Sequence, residues 1–447
     1  MNLTDKFIEE IYKIADSKIE NSEIIQIKNC IIDYIAVTNA GAKLLKTKTD
    51  KLLQSENSTE SLYSVIGYQK KASLHTALLI NSMNAHAAEL DDGVRYANLH
   101  PGVSVITALL TVAEQLKLSS QDVLRGILVG YETSIRIAAS IQPSHRNMGY
   151  HATGTCGAFG VALGLCAAVK LDKNQFKTAL TAAASGSSGM LNVIKDQSDL
   201  KPYNNSLAVF AGYNAYQLAT VGFIPSDDVL NGKWGYFSLK TKELDTSKLL
   251  NSEGKSLIHD VYRKYYAACR HCHPAIEAAI VCKKEKKINL DLIKSVHVET
   301  YSLAVDGHES KNIQNSASAK MSTPYSVAVA LLKEKAGIDE FESATIKNTQ
   351  IQDLLQKVVV TQNTEMTNQV PEKRPAKVSI TMKDGTVYSK QIDLAKGEPE
   401  NPFTKFELED KFISLVTYNN LNIEEAKKLL NKIYNFENNL NALLESI

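Results

Sequence analysis

The apolar spacing of this chain changes once, near residue 290, from a helical period of about 3.6 to an alternation of two. Before that point the pattern is helical throughout. Phe7, Ile8, Ile11, Ile14 and Ala15 form one apolar stripe, with Thr4 placed to cap it and Leu3 to staple against Ile8. Similar stripes predict helices at about 24–40, 72–90, 104–116, 121–140, 156–170, 174–190 and 206–221, joined by Gly, Pro, Asn or Ser. No strong strand signal precedes residue 290. After it, 294–301 alternates, 357–361 is short and β-branched, and 376–382 and 386–392 flank Lys383-Asp384-Gly385, a hairpin signature. Helical stretches near 274–286 and 322–335 are interleaved with these strands. Gly397 to Pro402 has the composition of a linker, and 405–447 returns to helical spacing. If that tail packs onto the first part, the α+β segment is an insertion. The expected architecture is mainly α with an inserted α+β domain: residues 1–265 and 400–447 form an all-helical domain, and 266–399 form the smaller one.

At 447 residues the chain exceeds what one hydrophobic core organises. Its 50 Lys and Arg balance 49 Asp and Glu, well mixed along the sequence, which argues against nucleic acid or an acidic membrane as a partner. The first residues lack the apolar core of a signal peptide, and no window is apolar enough to span a bilayer. Six cysteines without secretory features read as reduced thiols in a cytoplasmic protein.

Chemistry-bearing side chains concentrate in five windows. Asn84 to Gly102 delivers Glu89, Asp91 and Asp92 from a helix into a loop bearing Arg95 and His100. Such a set can hold and protonate an anion, although a solvated helix end has the same composition. Gly149 to Gly160 places His151 ahead of Gly154, Gly157, Gly160 and Gly164; that glycine spacing suits close helix packing better than a phosphate loop. His151 itself would stand at a helix N-terminus, where a carboxylate is attracted. Lys201 precedes Pro202, which predicts extended backbone there. Arg263 to Pro274 contains Lys264, Cys269, His271, Cys272 and His273. Haem attachment would need export features that are absent, and no second ligand pair for zinc is visible, so no metal is expected. The window reads instead as another anion-facing corner built on Lys264 and His273. Finally, Tyr325 follows Pro324 at the start of an apolar helix, where it either serves a site or simply packs.

Eight segments, in order, resemble the MmgE/PrpD family of 2-methylcitrate dehydratases, cis-aconitate decarboxylases and iminodisuccinate epimerases: Ala85–Gly102, Gly130–Glu132, Gly149–Gly160, Lys201–Gly212, Gly222–Phe237, Lys264–Ala278, Ser322–Leu332 and Gly397–Pro402. The resemblance implies a homodimer whose helical domain comes from both chain ends, with an α+β lid inserted and the site between the two. It implies no metal or other cofactor. By motif, His100 corresponds to the family's His-Pro histidine, His151 to its Gly-x-His histidine, Lys201 to its Lys-Pro lysine, Lys264 to the lysine before the lid, and Tyr325 to its Pro-Tyr tyrosine. Glu89 stands where the family usually has Asp, Gly93 replaces a polar residue, and Arg95 adds a cation.

The expected chemistry is removal of a proton next to a carboxylate of a small di- or tricarboxylate. His151 is the expected base and His100 the acid or orienting partner, roles that could be exchanged. Asp91 or Asp92 would set a histidine tautomer, and Lys201, Lys264 and Arg95 would clamp the developing charge. Tyr325 would bind substrate or donate a proton, and Glu89, Arg95 and His273 would contact substrate. A dehydratase-like lyase is expected first. An epimerase or isomerase of a dicarboxylate, and a non-catalytic carboxylate-binding protein, are the alternatives.

Overall fold

A computed structural model describes residues 1–56, 61–195, 198–251 and 253–447. It is mainly helical, with one small mixed sheet, and its chain divides into two compact units. One contains Met1–Ile194, Leu200–Val261 and Thr404–Ile447; the other contains Lys195–Asp199 and Tyr262–Phe403.

The first unit is a stack of helices whose bounds follow the apolar stripes. They include Asn21–Leu44, Leu74–Ala87, Gly102–Val112, Ser120–Ser140, Ala152–Ala168, Lys173–Gly186 and Lys201–Thr220, joined by Lys405–Tyr418 and Ile423–Tyr434 from the C-terminal part. Reciprocal capping boxes start several of them: Ser119 with Asp122, Asp172 with Gln175, Thr404 with Glu407. The first helix, Leu3–Asp16, is capped by Asn2 rather than Thr4. The Asn2 side chain takes the Asp5 N–H at 2.8 Å, while the Thr4 hydroxyl donates to Asp228 at 2.6 Å. Gly154, Gly160 and Gly164 face backbone atoms of neighbouring segments, as their spacing suggests, while Gly157 makes room for the side chains of Ser104 and Ala208. A Cβ at Gly160 would lie 2.6 Å from the Gly130 carbonyl oxygen, so the Ser120–Ser140 and Ala152–Ala168 helices meet there without side chains between them.

This unit also carries a hairpin of three-residue strands, β1 (Tyr63–Val65) and β2 (Lys70–Ala72), so the expectation of an all-helical domain is corrected to that extent. Strands that short leave no alternation for a sequence reading to detect. No helix among the described residues is long and apolar enough to cross a membrane.

The second unit holds a four-stranded sheet in the order β4-β3-β5-β6, from β3 (Ile293–Thr300), β4 (Val358–Gln362), β5 (Ala376–Met382) and β6 (Val387–Ile392). β3 pairs parallel to β4 and antiparallel to β5, and β5 pairs antiparallel to β6 across the Asp384-Gly385 turn, where Gly385 has φ +90°. The helices His273–Lys286 and Thr323–Lys333 pack against each other; the first also lies on β5 and β6, and the second contacts β4.

The Gly397–Pro402 stretch is not a loose linker. Gly397 has φ +93°, its carbonyl accepts the Arg263 N–H at 2.9 Å, and Glu398 is buried in an ion pair with Arg270 at 2.8 Å. Gly and Pro are there to form a tight buried turn, in which a Cβ at Gly397 would collide with the Arg263 carbonyl.

Candidate active site

The helical unit gathers Glu89, Asp91, Asp92, His100, His151 and Lys201 around a histidine that the sequence reading passed over. His86 lies in the last turn of the Leu74–Ala87 helix and is wholly buried. Its Nδ1 is 2.9 Å from Asp91 Oδ2. The same carboxylate oxygen lies 2.9 Å from His100 Nδ1, which is also 2.6 Å from the Asp92 carbonyl oxygen. The His86 ring centre is 5.0 Å from that of His100 and 6.1 Å from that of His151. One imidazole thus stands between the two expected acid–base histidines.

Helix starts position both outer histidines. His151 is the N-cap residue of the Ala152–Ala168 helix, and His100 immediately precedes Pro101, the N-cap of Gly102–Val112. The His100 N–H donates to Thr153 Oγ1 at 3.2 Å, so the two corners are tied together. A helix N-terminus disfavours an added positive charge, which suits histidines that work as neutral imidazoles. Burial holds His151 well below the ordinary imidazole range, reinforced by His86, Lys201 and His100 nearby. Burial also lowers His86, against the pull of Asp91.

Hydrogen bonding decides the tautomers. Both atoms facing His100 Nδ1 are acceptors, so that nitrogen carries the proton and Nε2 keeps a lone pair. His151 is the reverse case. Its Nδ1 lies 3.2 Å from Asn204 Nδ2. The Asn204 amide is oriented by Met190, whose N–H reaches Oδ1 at 3.4 Å and whose carbonyl accepts from Nδ2 at 3.0 Å. Asn204 therefore donates to His151 Nδ1, and a neutral His151 carries its proton on Nε2. Asn204 sits one turn after Lys201 on the same helix face, a placement visible in the sequence but not recognised there.

Lys201 opens the Lys201–Thr220 helix instead of lying in extended backbone. Pro202 is tolerated in the first turn, where its missing N–H has no partner to lose. The Lys201 ammonium donates to Glu89, and both side chains are buried. Glu89 was expected to bind substrate. As an anion it would repel a carboxylate, and its contact makes it instead the group that positions Lys201.

Asp92 does not set a histidine tautomer through its side chain. Oδ2 accepts from the Tyr131 hydroxyl at 2.6 Å and Oδ1 from the Gly102 N–H at 3.1 Å, which ties the loop to two helices. Burial, the largest influence, raises its pKa from the usual 3.8 to about 7, with Asp33 and Asp91 adding to the rise. The folded chain thus keeps this proton over a window in which the unfolded chain releases it. The cost of burying Asp92 is absent below about pH 4 and complete above about pH 7. Asp92→Asn removes the charge and keeps an oxygen for Gly102. Its stability relative to the parent is expected to rise from pH 4 to pH 7, by on the order of 4 kcal/mol at most, and to level off above that. Thermal unfolding of both proteins across this range checks it; a gap independent of pH would refute it.

The loop is also clamped from the far end of the chain. Lys411, on the Lys405–Tyr418 helix, donates to Asp33 at 2.6 Å and to the Leu90 carbonyl at 2.8 Å. Arg95 is half-buried in the small turn closed by Val94 and Leu99, beside Tyr96, whose hydroxyl donates to Asp260 at 2.8 Å.

Lys264, His273 and Tyr325 belong to the α+β unit. Lys264 is 1% exposed, a state a lysine reaches almost only when it is paired. His273 is less suited to contacting substrate than its motif implied. Its Nδ1 lies 2.8 Å from an Arg270 guanidinium nitrogen and its Nε2 3.2 Å from the Ala268 carbonyl, so both ring nitrogens are engaged internally. Tyr325 packs on Phe341 and donates its hydroxyl to the Glu340 carbonyl at 2.6 Å. Burial raises its pKa, so it is a poor proton donor, and its placement is that of a packing residue.

Among the described residues, two groups of side chains have metal-ligand chemistry: His86, Asp91 and His100, and Cys269, His271 and His308. In the first group, hydrogen bonding to the shared Asp91 oxygen already accounts for the cluster.

Residues 10–247 match the MmgE/PrpD N-terminal domain, and residues 266–432 match the MmgE/PrpD C-terminal domain. Among characterised relatives, a cis-aconitate decarboxylase-like protein, oryM, of Aspergillus oryzae is 21% identical over 98% of this chain and 95% of its own. The cis-aconitate decarboxylase of Mus musculus is 22% identical over 92% of this chain and 86% of its own. That of Homo sapiens is 24% identical, with 92% and 87% covered.

Proposed function

The chain belongs to the MmgE/PrpD family, and we propose that it is a lyase that removes water from a small hydroxy-di- or tricarboxylate by acid–base chemistry, without metal or redox cofactor. The observation that carries this reading is the opposite tautomers of the two histidines. His100, with a lone pair on Nε2 and its Nδ1–H held by Asp91, is fitted to take a proton from carbon. His151, with its proton on Nε2, is fitted to hydrogen-bond the departing hydroxyl, which takes up the proton that His100 removed from carbon. The C–H pair becomes the new double bond, and the hydroxyl leaves as water. This reverses the roles first expected from the sequence. Lys201 would stabilise the charge that develops on the substrate carboxylate, and a part for Lys264 rests on its place in the family motif.

A second reading is decarboxylation, favoured by the names of the relatives. There the carbanion forms by loss of carbon dioxide and takes a proton from solvent or from a protonated His100, so no base is required.

The protein is proposed to act in the cytoplasm, supported by the absence of disulfides among its six cysteines. It is further proposed to be a homodimer. Val221, Phe223, Ile224 and Trp234 of the helical unit are between 59% and 92% exposed, an apolar display that a partner copy would cover.

NMR in deuterated water, with citrate, 2-methylcitrate, the aconitates, malate and aspartate-derived acids, tests the reading. Interconversion of a hydroxy acid with its alkene, with deuterium entering the carbon, is the expected result. Release of carbon dioxide would replace it by the decarboxylase. Exchange without net conversion would indicate an epimerase. Tight binding of a carboxylate with none of these would leave a non-catalytic binding protein.

A further inference from the structure

We propose that the α+β unit contains a zinc-binding site made by Cys269, His271 and His308, with Cys272, beside His308, as the fourth ligand. One ligand atom from each of the first three lies within 4.8 Å of the others. Cys269 Sγ is 3.8 Å from His308 Nε2, and the His271 and His308 ring centres are 5.4 Å apart. Around a tetrahedral zinc, with Zn–S about 2.3 Å and Zn–N about 2.0 Å, neighbouring ligand atoms are separated by roughly 3.3–3.8 Å. The observed separations need only small side-chain rotations to close on an ion.

Second-layer contacts point the ligands. His308 Nδ1 is 2.7 Å from the Met321 carbonyl oxygen, which can only accept, so the proton is on Nδ1 and the Nε2 lone pair faces the Cys269 sulfur. His271 Nδ1 is 2.6 Å from the Tyr301 hydroxyl; with that oxygen accepting, Nε2 is the ligand nitrogen. Cys272 lies beside the same His308 imidazole and accepts from the Thr323 hydroxyl at 3.4 Å.

The backbone holds the three segments in place. The Cys269 N–H donates to the Lys320 carbonyl at 2.8 Å, the Cys272 N–H to the Cys269 carbonyl at 2.9 Å, and the Thr323 N–H to the His308 carbonyl at 2.8 Å. Two thiols and two imidazoles are donors that zinc accepts and that hard cations such as magnesium do not favour. A thiolate also separates this site from the nitrogen and oxygen donors of His86, Asp91 and His100. The sequence left Cys269-x-x-Cys272 without a second ligand pair because His308 is 39 residues from Cys269.

The test uses the full chain, stripped with chelator and titrated with Zn²⁺ against a chromophoric competitor, and separately with Co²⁺. One tightly held equivalent per chain is expected, together with a thiolate-to-cobalt charge-transfer band. His308→Gln and Cys269→Ser should each lose the tightly held equivalent, Cys269→Ser keeping at most the weaker band of Cys272, while circular dichroism stays unchanged. Tyr301→Phe should weaken zinc by roughly 10–100-fold. Should a variant fail to fold, zinc-edge X-ray absorption on the parent protein decides alone: sulfur at about 2.3 Å supports the site, and a shell of nitrogen and oxygen only overturns it. Failure to retain zinc, or a cobalt spectrum without the thiolate band, overturns it equally. None of these readouts depends on catalysis, so the zinc site and the lyase stand or fall separately.

Discussion

His100→Gln is expected to lower kcat/KM by about 10²–10⁴-fold and to silence deuterium exchange at the substrate carbon. Glutamine can fill the imidazole's place and keep a contact to Asp91, yet it cannot accept a proton at neutral pH. His151→Gln should behave differently. It loses the Nε2–H that hydrogen-bonds the leaving hydroxyl, so product formation falls while exchange persists, because abstraction at carbon no longer commits to elimination. The pair of variants therefore reads the two roles independently. Exchange surviving in His100→Gln and vanishing in His151→Gln would restore the order first expected from the sequence. Steady-state rates and NMR exchange, measured on variants with unchanged thermal unfolding, provide both numbers.

Lys201→Met should be as damaging, and in two ways at once. Removing the ammonium leaves Glu89, 5% exposed, as a buried carboxylate without its cation. Breaking such a pair from one side costs about 3–5 kcal/mol. Losing a preorganised positive charge beside the developing carbanion costs about 10²–10³-fold in kcat. The double variant Lys201→Met with Glu89→Gln separates the effects, because it removes both charges. Its stability in denaturant titration is expected to recover most of the loss, while its activity stays as low as that of Lys201→Met. Recovery of activity in the double variant would show that Lys201 matters only for folding.

The helices of the first unit and the strands of the second were legible because each is long enough for its period to repeat. The hairpin of β1 and β2 was not, since three residues carry no period. The Gly397–Pro402 turn misled by composition: Gly and Pro mark both slack linkers and tight buried turns, and only the Arg270–Glu398 pair tells them apart. At the site, the charged cluster at Glu89–His100 and the histidine at 151 stood out by residue type. His86 did not, because a histidine on an apolar helix face has the signature of a core residue. What His100 and His151 do depends on which nitrogen carries the proton. That is set by Asp91 and by the Met190 backbone acting through Asn204, contacts that a linear sequence does not encode locally. Tyr325 is a different case: its motif fits a site residue and a packing residue alike, and the fold gives its hydroxyl to a main-chain carbonyl.

The clamp of Lys411 on the Leu90 carbonyl joins groups 321 positions apart in the chain. During synthesis every acid, base and cation of the site leaves the ribosome long before Lys411 does, so for that interval the acidic loop is held through Asp92 by Tyr131 and Gly102 and lacks its Lys411 contact. The same logic runs in reverse on heating or proteolysis: fraying of the Lys405–Tyr418 helix releases the loop first, and turnover is lost while most of the helical unit is still folded.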